Sequence, residues 1–497
     1  MPTPTNRVVI VGAGAAGVFT AYRLREMYGD KYEIVLLEAN GRVGGNCFST
    51  HVEYGGKDYS IDCGAQFFYK NPQPSYVALL DQLGLLDSAQ EVIAAPAGFT
   101  VYDKPAGELR LWLPSRVVEF LGYDAADWER LVKFLEYLAY SAVLDRDSPD
   151  NWQLSVDDWF AGLTLIDDDF KENVLKPFMY QFVSLPLDRI GESSALYAIT
   201  YFVRNLLGEP GVPEPDPSVP ALPAIPTFKT YQSMIGLDGI QLKVLEAAGV
   251  VPTLNSPITK LERIAGVNVV QTPTGPIEAD HVVFACDPHA AAKILQAGGS
   301  APPALLDALT GMEYVELPIS MQRDGSCWMP PDDDDWEPVN TIVDGASVTF
   351  SAWFGPLRPT YGLGKKIPVF KSWGAPGVGG CPHEFLAHKH YIPLPTTTFM
   401  KHREALKGFQ GKDGVWFVGG WSRWFDSQEA ALDSATWVAQ AIPGVPRPAT
   451  GLARMIRPGA DNIEHNLRRF AERVARIAPS KHKDSIANVI EKVAEKG

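Results

Sequence analysis

Three glycines in the spacing Gly12-x-Gly14-x-x-Gly17 come directly after the short apolar run of residues 7–11. Gly12 lets the chain turn sharply out of a strand, and Gly14 carries no side chain to keep a pyrophosphate off the backbone. Gly17 lets the next helix approach the strand closely. A helix opening at Ala15 and Ala16 turns unpaired backbone N–H groups and a partial positive charge toward a diphosphate. Glu38 ends the next apolar run, residues 33–38, and lies 21 residues after Gly17. A carboxylate there can bond the hydroxyls of a ribose. Strand, glycine turn, helix, strand and acid fall within the roughly 30 residues of one βαβ unit, which predicts a dinucleotide site.

The residues after Glu38 narrow the choice of dinucleotide. Glu38-Ala39-x-x-Arg42-x-Gly44-Gly45 offers an arginine for the pyrophosphate and a glycine pair that lets the chain pass beneath it. Further on stand Ile61-Asp62-Cys63-Gly64-Ala65-Gln66-Phe67, residues 257–261 (PITKL), residues 283–288 (VFACDP) and residues 417–435 (FVGGWSRWFDSQEAALDSA). Taken in order over about residues 7–440, these segments resemble the flavin amine oxidase superfamily. That superfamily includes monoamine and polyamine oxidases, carotenoid desaturases and related fungal and bacterial flavoenzymes. The resemblance implies FAD in an extended form, with the backbone of Gly64, Ala65 and Gln66 beside the flavin and Ile258 at the adenine. It also implies a C-terminal flavin segment carrying Gly420, Glu429 and Ala430. Some members hold the flavin covalently through a cysteine of that segment. Residues 405–440 contain neither Cys nor His, so the FAD is expected to be non-covalent.

The sequence departs from most amine oxidases after the glycine pair, where Asn46-Cys47-Phe48-Ser49 replaces the usual arginine. This is closer to the branch of polyunsaturated fatty acid isomerases and fungal cyclising oxidases. The leading expectation is an FAD-dependent oxidoreductase that abstracts a hydride from a hydrophobic or amine-bearing small molecule, with oxygen as reoxidant. The alternative is a redox-neutral isomerase or desaturase acting on a polyunsaturated fatty acid or isoprenoid. In either case a C–H bond is held over the flavin so that transfer is effectively unimolecular. The protein's part is to orient the substrate and exclude water. Trp421, Trp424 and Gln66 are the candidate residues at the flavin face, and Trp416, Phe425, Trp353, Phe354 and Trp373 are further aromatic candidates for the pocket. The family's lysine near the flavin matches Lys365, Lys366 or Lys371, and no motif chooses among them.

Pattern also gives the elements that could position these residues. The expected fold is α/β: a Rossmann-type FAD-binding domain of the amine oxidase kind, with an interleaved mixed α+β substrate domain and C-terminal helices. Residues 1–75, 227–300 and 400–445 are assigned to the first domain, and 76–226 and 301–399 to the second. Residues 209–226 hold seven prolines and read as a stiff loop, and about 300–400 reads as an irregular block. The tail, 446–497, carries two basic amphipathic helices with Ile463, Leu467, Phe470, Val474 and Ile477 on one face and Ile486, Val489, Ile490 and Val493 on another. They are expected to pack on the body or on a second copy, with peripheral membrane contact as the other reading.

The chain has 497 residues, ordinary proportions of hydrophobic (46%) and charged (21%) residues, and a formal charge of −15. An acidic chain lacks the basic face a nucleic-acid partner needs. No run approaches the ~18 apolar residues of a membrane span, and no secretory signal is read at the start. Five cysteines, far apart and odd in number, read as reduced thiols in a cytoplasmic protein. Cys381, His383, Glu384, His388 and His390 fit no closed four-ligand pattern, and the run Asp332–Asp335 lacks the interleaved ligands of a calcium loop, so no metal is assigned.

Overall fold

Val8, Val9 and Ile10 are completely buried because their strand lies inside a parallel sheet covered on both faces. A computed structural model of the protein describes residues 6–68, 73–86, 92–115, 117–147, 152–208, 228–357, 368–374, 381–423, 426–442 and 460–496. In it the strands run in the order Val415–Phe417, His281–Phe284, Arg7–Val11, Glu33–Leu37. Val9 sits opposite Val35 on one side and Val282 on the other. Thr253 extends the edge beyond the last strand, donating to Leu36 O at 2.8 Å and accepting from the N–H of Glu38 at 2.9 Å. Four distant pieces of chain thus converge on one sheet, whose strands all end toward the same side.

One face is covered by helix Ala15–Tyr28, which packs against helices Leu237–Ala248 and Gln428–Ala441. Val18, Phe19 and Leu24 share a core there with Val244, Leu432 and Val438. An antiparallel three-stranded sheet, Lys260–Ile264, Val267–Thr272 and Gly275–Ala279, leads directly into strand His281–Phe284.

The block expected to be irregular supplies five strands of a seven-stranded sheet instead. Its order is Glu384–Pro393, Tyr314–Gln322, Phe370–Trp373, Ser347–Trp353, Val339–Asp344, Phe99–Asp103, Glu108–Leu113. In the second strand Val315, Leu317, Ile319 and Met321 alternate with polar positions, but Pro318 inside it argues against a strand, and His388 and His390 break the apolar pattern of the first. Helices Ala125–Asp147, Lys176–Val183 and Ala195–Gly208 complete this half. The proline-rich segment 209–226 lies outside the described residues.

The tail folds back on the body. Helix Ala460–Ile477 packs on Ala125–Asp147 and Ala195–Gly208, and Val489–Lys496 packs on Ala125–Asp147. Leu467, Val474, Ile486, Val489 and Val493 are buried in the main core. The second amphipathic run is broken at Asn488 into Ser480–Ala487 and Val489–Lys496. Lys492 pairs with the buried Glu136, so part of the basic character is spent against the acidic body.

The expectation of five reduced thiols is corrected: Cys327 and Cys381 form a disulfide across 54 positions. Antiparallel pairing of Gln322 with Glu384, and a bond from Arg323 N–H to His383 O at 3.1 Å, bring the flanking loops side by side. This proximity is set by strand register, which spacing in sequence does not reveal. Cys47, Cys63 and Cys286 are free.

Candidate active site

Gly12 leaves its strand with φ +107°, and a β-carbon on it would crowd Ala285 O at 3.0 Å. A β-carbon on Gly17 would lie 1.9 Å from Gly12 O, so helix and turn touch through bare backbone. Gly14 differs: the nearest atom to its β-carbon position is Gly45 Cα at 3.7 Å. The helix begins there with no side-chain cap, which leaves first-turn N–H groups for an anionic ligand. Gly44 donates to Ala13 O at 2.9 Å, so the second glycine loop lies across the first.

These loops form one end of a cavity of about 800 Å³. Gly12, Gly14, Ala15, Ala16, Glu38, Ala39, Gly44 and Gly45 line that end, with Ile258 beside them. Glu38 is buried; its Oε2 accepts Ala13 N–H at 2.8 Å, and its Oε1 accepts Asn40 N–H and Nδ2, each at 2.8 Å. The carboxylate is thereby oriented while still lining the cavity.

Gly64, Ala65, Gln66, Gly420 and Trp421 line the cavity farther along. Lys371, from the seven-stranded sheet, reaches the same place: its Nζ donates to Gly64 O and to Gln66 Oε1, the latter at 3.2 Å, and lies 4.8 Å from the centre of the Trp373 ring. Burial pulls the ammonium down to about 8. His390 packs against Gly64, where a β-carbon would meet its Cε1 at 2.6 Å. Burial, reinforced by Lys371, pulls this imidazole down to about 3 and keeps it neutral. Of the three lysines matching the family's, Lys371 lies in the cavity; Lys365 and Lys366 fall outside the described residues.

The remaining wall is apolar and tyrosine-rich, with Phe182, Val183, Tyr197, Tyr314, Leu317 and Ile319. Asp426 stands among them, exposed on the cavity wall, with its N–H donating to Tyr197 Oη at 3.2 Å. Protein packed around it pushes its carboxyl up. Asp426 lies within residues 417–435, but the acid expected there is Glu429; His390 lies in none of the motif segments, and the fold brings both to the cavity.

Four expected site residues do not reach the cavity wall. Arg42 donates to Gly45 O at 2.7 Å and Cys47 O at 3.2 Å, with its guanidinium 4.7 Å from the Phe48 ring centre. It braces the glycine loop from outside. Gly17 is spent on the contact with Gly12. Glu429 turns away from the cavity: its carboxylate accepts Tyr76 N–H at 2.7 Å and Ser75 N–H at 3.2 Å, holding the start of helix Pro74–Gln82. Burial pushes it up to about 7. Ala430 is fully buried in the core. On helix Gln428–Ala441 it is Gln428 and Ala431, three positions apart, that face the cavity. Trp424 and Phe425 lie outside the described residues. Trp373 lines the cavity, whereas Trp353 packs with Trp336 and Phe370, and Trp416 with Trp437. His383 sits near Asp324 and Glu384 bonds Ser320. No group of three metal-ligating side chains occurs among the described residues.

Coproporphyrinogen III oxidase of Mycobacterium bovis is 32% identical over 167 residues, a match that covers 33% of this chain and 34% of that protein. The fold is similar to a fatty acid isomerase of P. acnes that produces CLA, at TM-score 0.61 and 14% identity, over 89% of this chain and 100% of the other. It is also similar to cyclohexylamine oxidase of Brevibacterium oxydans, at TM-score 0.56 and 17% identity, over 88% and 98%. The model of the flavin-containing amine oxidoreductases matches residues 15–360, and with that match over most of its length the chain belongs to this family.

Proposed function

We propose that the protein binds FAD non-covalently and transfers a hydride to it from a C–H bond of a hydrophobic or amine-bearing small molecule. The observation that carries this reading is the continuity of one cavity. It runs from the bare helix start at Gly14 and the carboxylate of Glu38, past Gln66, Lys371 and Trp421, to a wall of tyrosines and aliphatic side chains. The residues fit the cofactor: space lies open above Gly14, backbone donors face it, and Glu38 is held ready for a ribose. When bound, the flavin supplies the hydride acceptor.

The chain's own residues do the rest. Gly64 and Gln66 fix the Nζ of Lys371 beside the expected flavin position, and Trp421 closes the wall there. The apolar side chains hold the reacting carbon and keep water away. Electrons then pass to oxygen in this reading. The FAD-binding part comprises 1–75, 227–300 and 400–445, and the intervening segments form the substrate part.

Phe182, Val183, Leu317 and Ile319 would also suit a lipid chain, and the fatty acid isomerase shares the fold, so hydride return to a second carbon is the other reading. Anaerobic mixing of the yellow protein with pools of amines and of polyunsaturated fatty acids separates the two. Bleaching of the flavin band, reversed by air with peroxide release, supports an oxidase. An unbleached flavin with a changing diene absorbance supports the isomerase. Neither response with either pool would count against both.

A further inference from the structure

We propose that Asp426 sets the charge of the substrate, pairing with a protonated nitrogen remote from the C–H bond that gives the hydride, beside Tyr197 and Tyr314, and turning away substrates that carry a carboxylate at that end. This rests on the flavin-dependent reading above and adds the residue that decides between its two substrate classes.

Asp426 belongs to the stretch between Gly420 and Gln428, the same piece of chain that brings Trp421 to the cavity. Asp426 lines the same cavity as Trp421 and Lys371. Its N–H is bonded to Tyr197 Oη at 3.2 Å, which pins the segment to helix Ala195–Gly208. Tyr314 enters from the seven-stranded sheet; burial raises its hydroxyl and that of Tyr197, and the charge of Asp426 adds to both, with Asp287 acting on Tyr314 as well. Tyr314 is itself held by Tyr391, with ring centres 5.0 Å apart, and by Phe399 at 6.2 Å. The backbone of Asp426 is thus held beside a wall of anchored rings.

Among the described residues no Lys, Arg or His forms an ion pair with Asp426. Two nearby cations are committed elsewhere. Lys371 donates to Gly64 and Gln66. Arg403 stacks over Trp152 at 4.8 Å. An ionised carboxylate facing a largely apolar chamber is costly until a cation meets it. An ammonium placed there gains the carboxylate and the neighbouring ring electrons together. A carboxylate-headed lipid meets repulsion instead.

The test uses the FAD-loaded protein and the change in the flavin spectrum on binding. The probes are phenethylamine, 2-phenylethanol and phenylacetate, together with decylamine, decanol and decanoate. Protein and probes are compared for the wild type, Asp426→Asn and Asp426→Glu. The wild type is expected to bind each amine at least about 10-fold more tightly than its carboxylate isostere, a modest share of what a desolvated charge pair contributes. Asp426→Asn is expected to erase that preference while leaving the alcohols unchanged, and Asp426→Glu to retain most of it. Loss of the alcohols as well in Asp426→Asn would point to damage to the chamber and overturn the assignment. So would a wild type without preference for the amines, or a preference that survives in Asp426→Asn. Failure of the protein to take up FAD would overturn the flavin reading and this one with it, and is read from the FAD content before any probe is added.

Discussion

The Oε2 atom of Glu38 accepts the backbone N–H of Ala13 at 2.8 Å, so the acid at the end of one strand organises the glycine turn at the end of its neighbour. Oε1 is committed to Asn40. A glutamine in this place would put an amide against N–H donors on one side and weaken the acceptor left for a ribose. Glu38→Gln should therefore weaken FAD binding by about 10- to 100-fold, the range for losing a hydrogen bond to a charged acceptor. Titration of apoprotein with FAD by fluorescence quenching measures it, and an unchanged affinity would remove Glu38 from the cofactor site.

Gly14 and Gly17 should fail in different ways, although they belong to one motif. A β-carbon on Gly14 makes only ordinary contact, 3.7 Å to Gly45 Cα, and points into the space assigned to the diphosphate. Gly14→Val should fold, with unchanged far-ultraviolet circular dichroism, and purify colourless. On Gly17 the same atom would sit 1.9 Å from Gly12 O. Gly17→Val must separate helix from strand and should lower the melting temperature or prevent soluble expression, as overpacking against rigid backbone does. A yellow Gly14→Val protein would displace the site from this turn.

That contrast marks where the sequence is readable. The glycine spacing and Glu38 are local: turn, helix start and acid lie within one βαβ unit, and backbone geometry dictates the residue types. Lys371 is a different case. It meets Gly64 and Gln66 across about 300 positions through the register of a seven-stranded sheet, and three lysines in that region look alike in sequence. Glu429 shows a third kind of limit. Its helix is legible, but one residue advances the side chain by roughly 100°, enough to turn the acid from the cavity to the start of helix Pro74–Gln82. Arg42 reads as a phosphate ligand by type, and its reach back to the Gly45 and Cys47 carbonyls emerges only from the loop's actual path.

The disulfide makes a countable prediction. Denatured, unreduced protein should show three reactive thiols, from Cys47, Cys63 and Cys286, and five after reduction. Cys327→Ser should lower stability by about 2–4 kcal/mol, as closure of a loop of 54 positions is released. The measurement is urea unfolding with and without reductant; reductant should destabilise the wild type and leave the variant unmoved. Five free thiols in freshly isolated protein would restore the reduced assignment.

Lys371 supplies the pH dependence. Burial moves its ammonium from an ordinary 10.5 to about 8 in the folded protein. Below about pH 8 both folded and unfolded chains carry the proton, and the folded state bears the full cost of a desolvated charge. Between about 8 and 10.5 the unfolded chain binds a proton that the folded one does not, so this group makes stability rise with pH there. The span corresponds to about 3 kcal/mol. Cys63 close by is pushed up to about 12, also by burial; it stays protonated in the folded state across this window and cancels between variants. Lys371→Met deletes the ammonium, at the cost of leaving Gly64 O and Gln66 Oε1 without their donor, a penalty that does not vary with pH. Measured by urea unfolding at pH 7.0 and pH 10.5, the stability difference should shift by about 3 kcal/mol in favour of the wild type at the higher pH. A difference that stays constant across the window would mean that the ammonium is not desolvated where it lies, and would remove the reason for placing a titrating lysine beside Gly64.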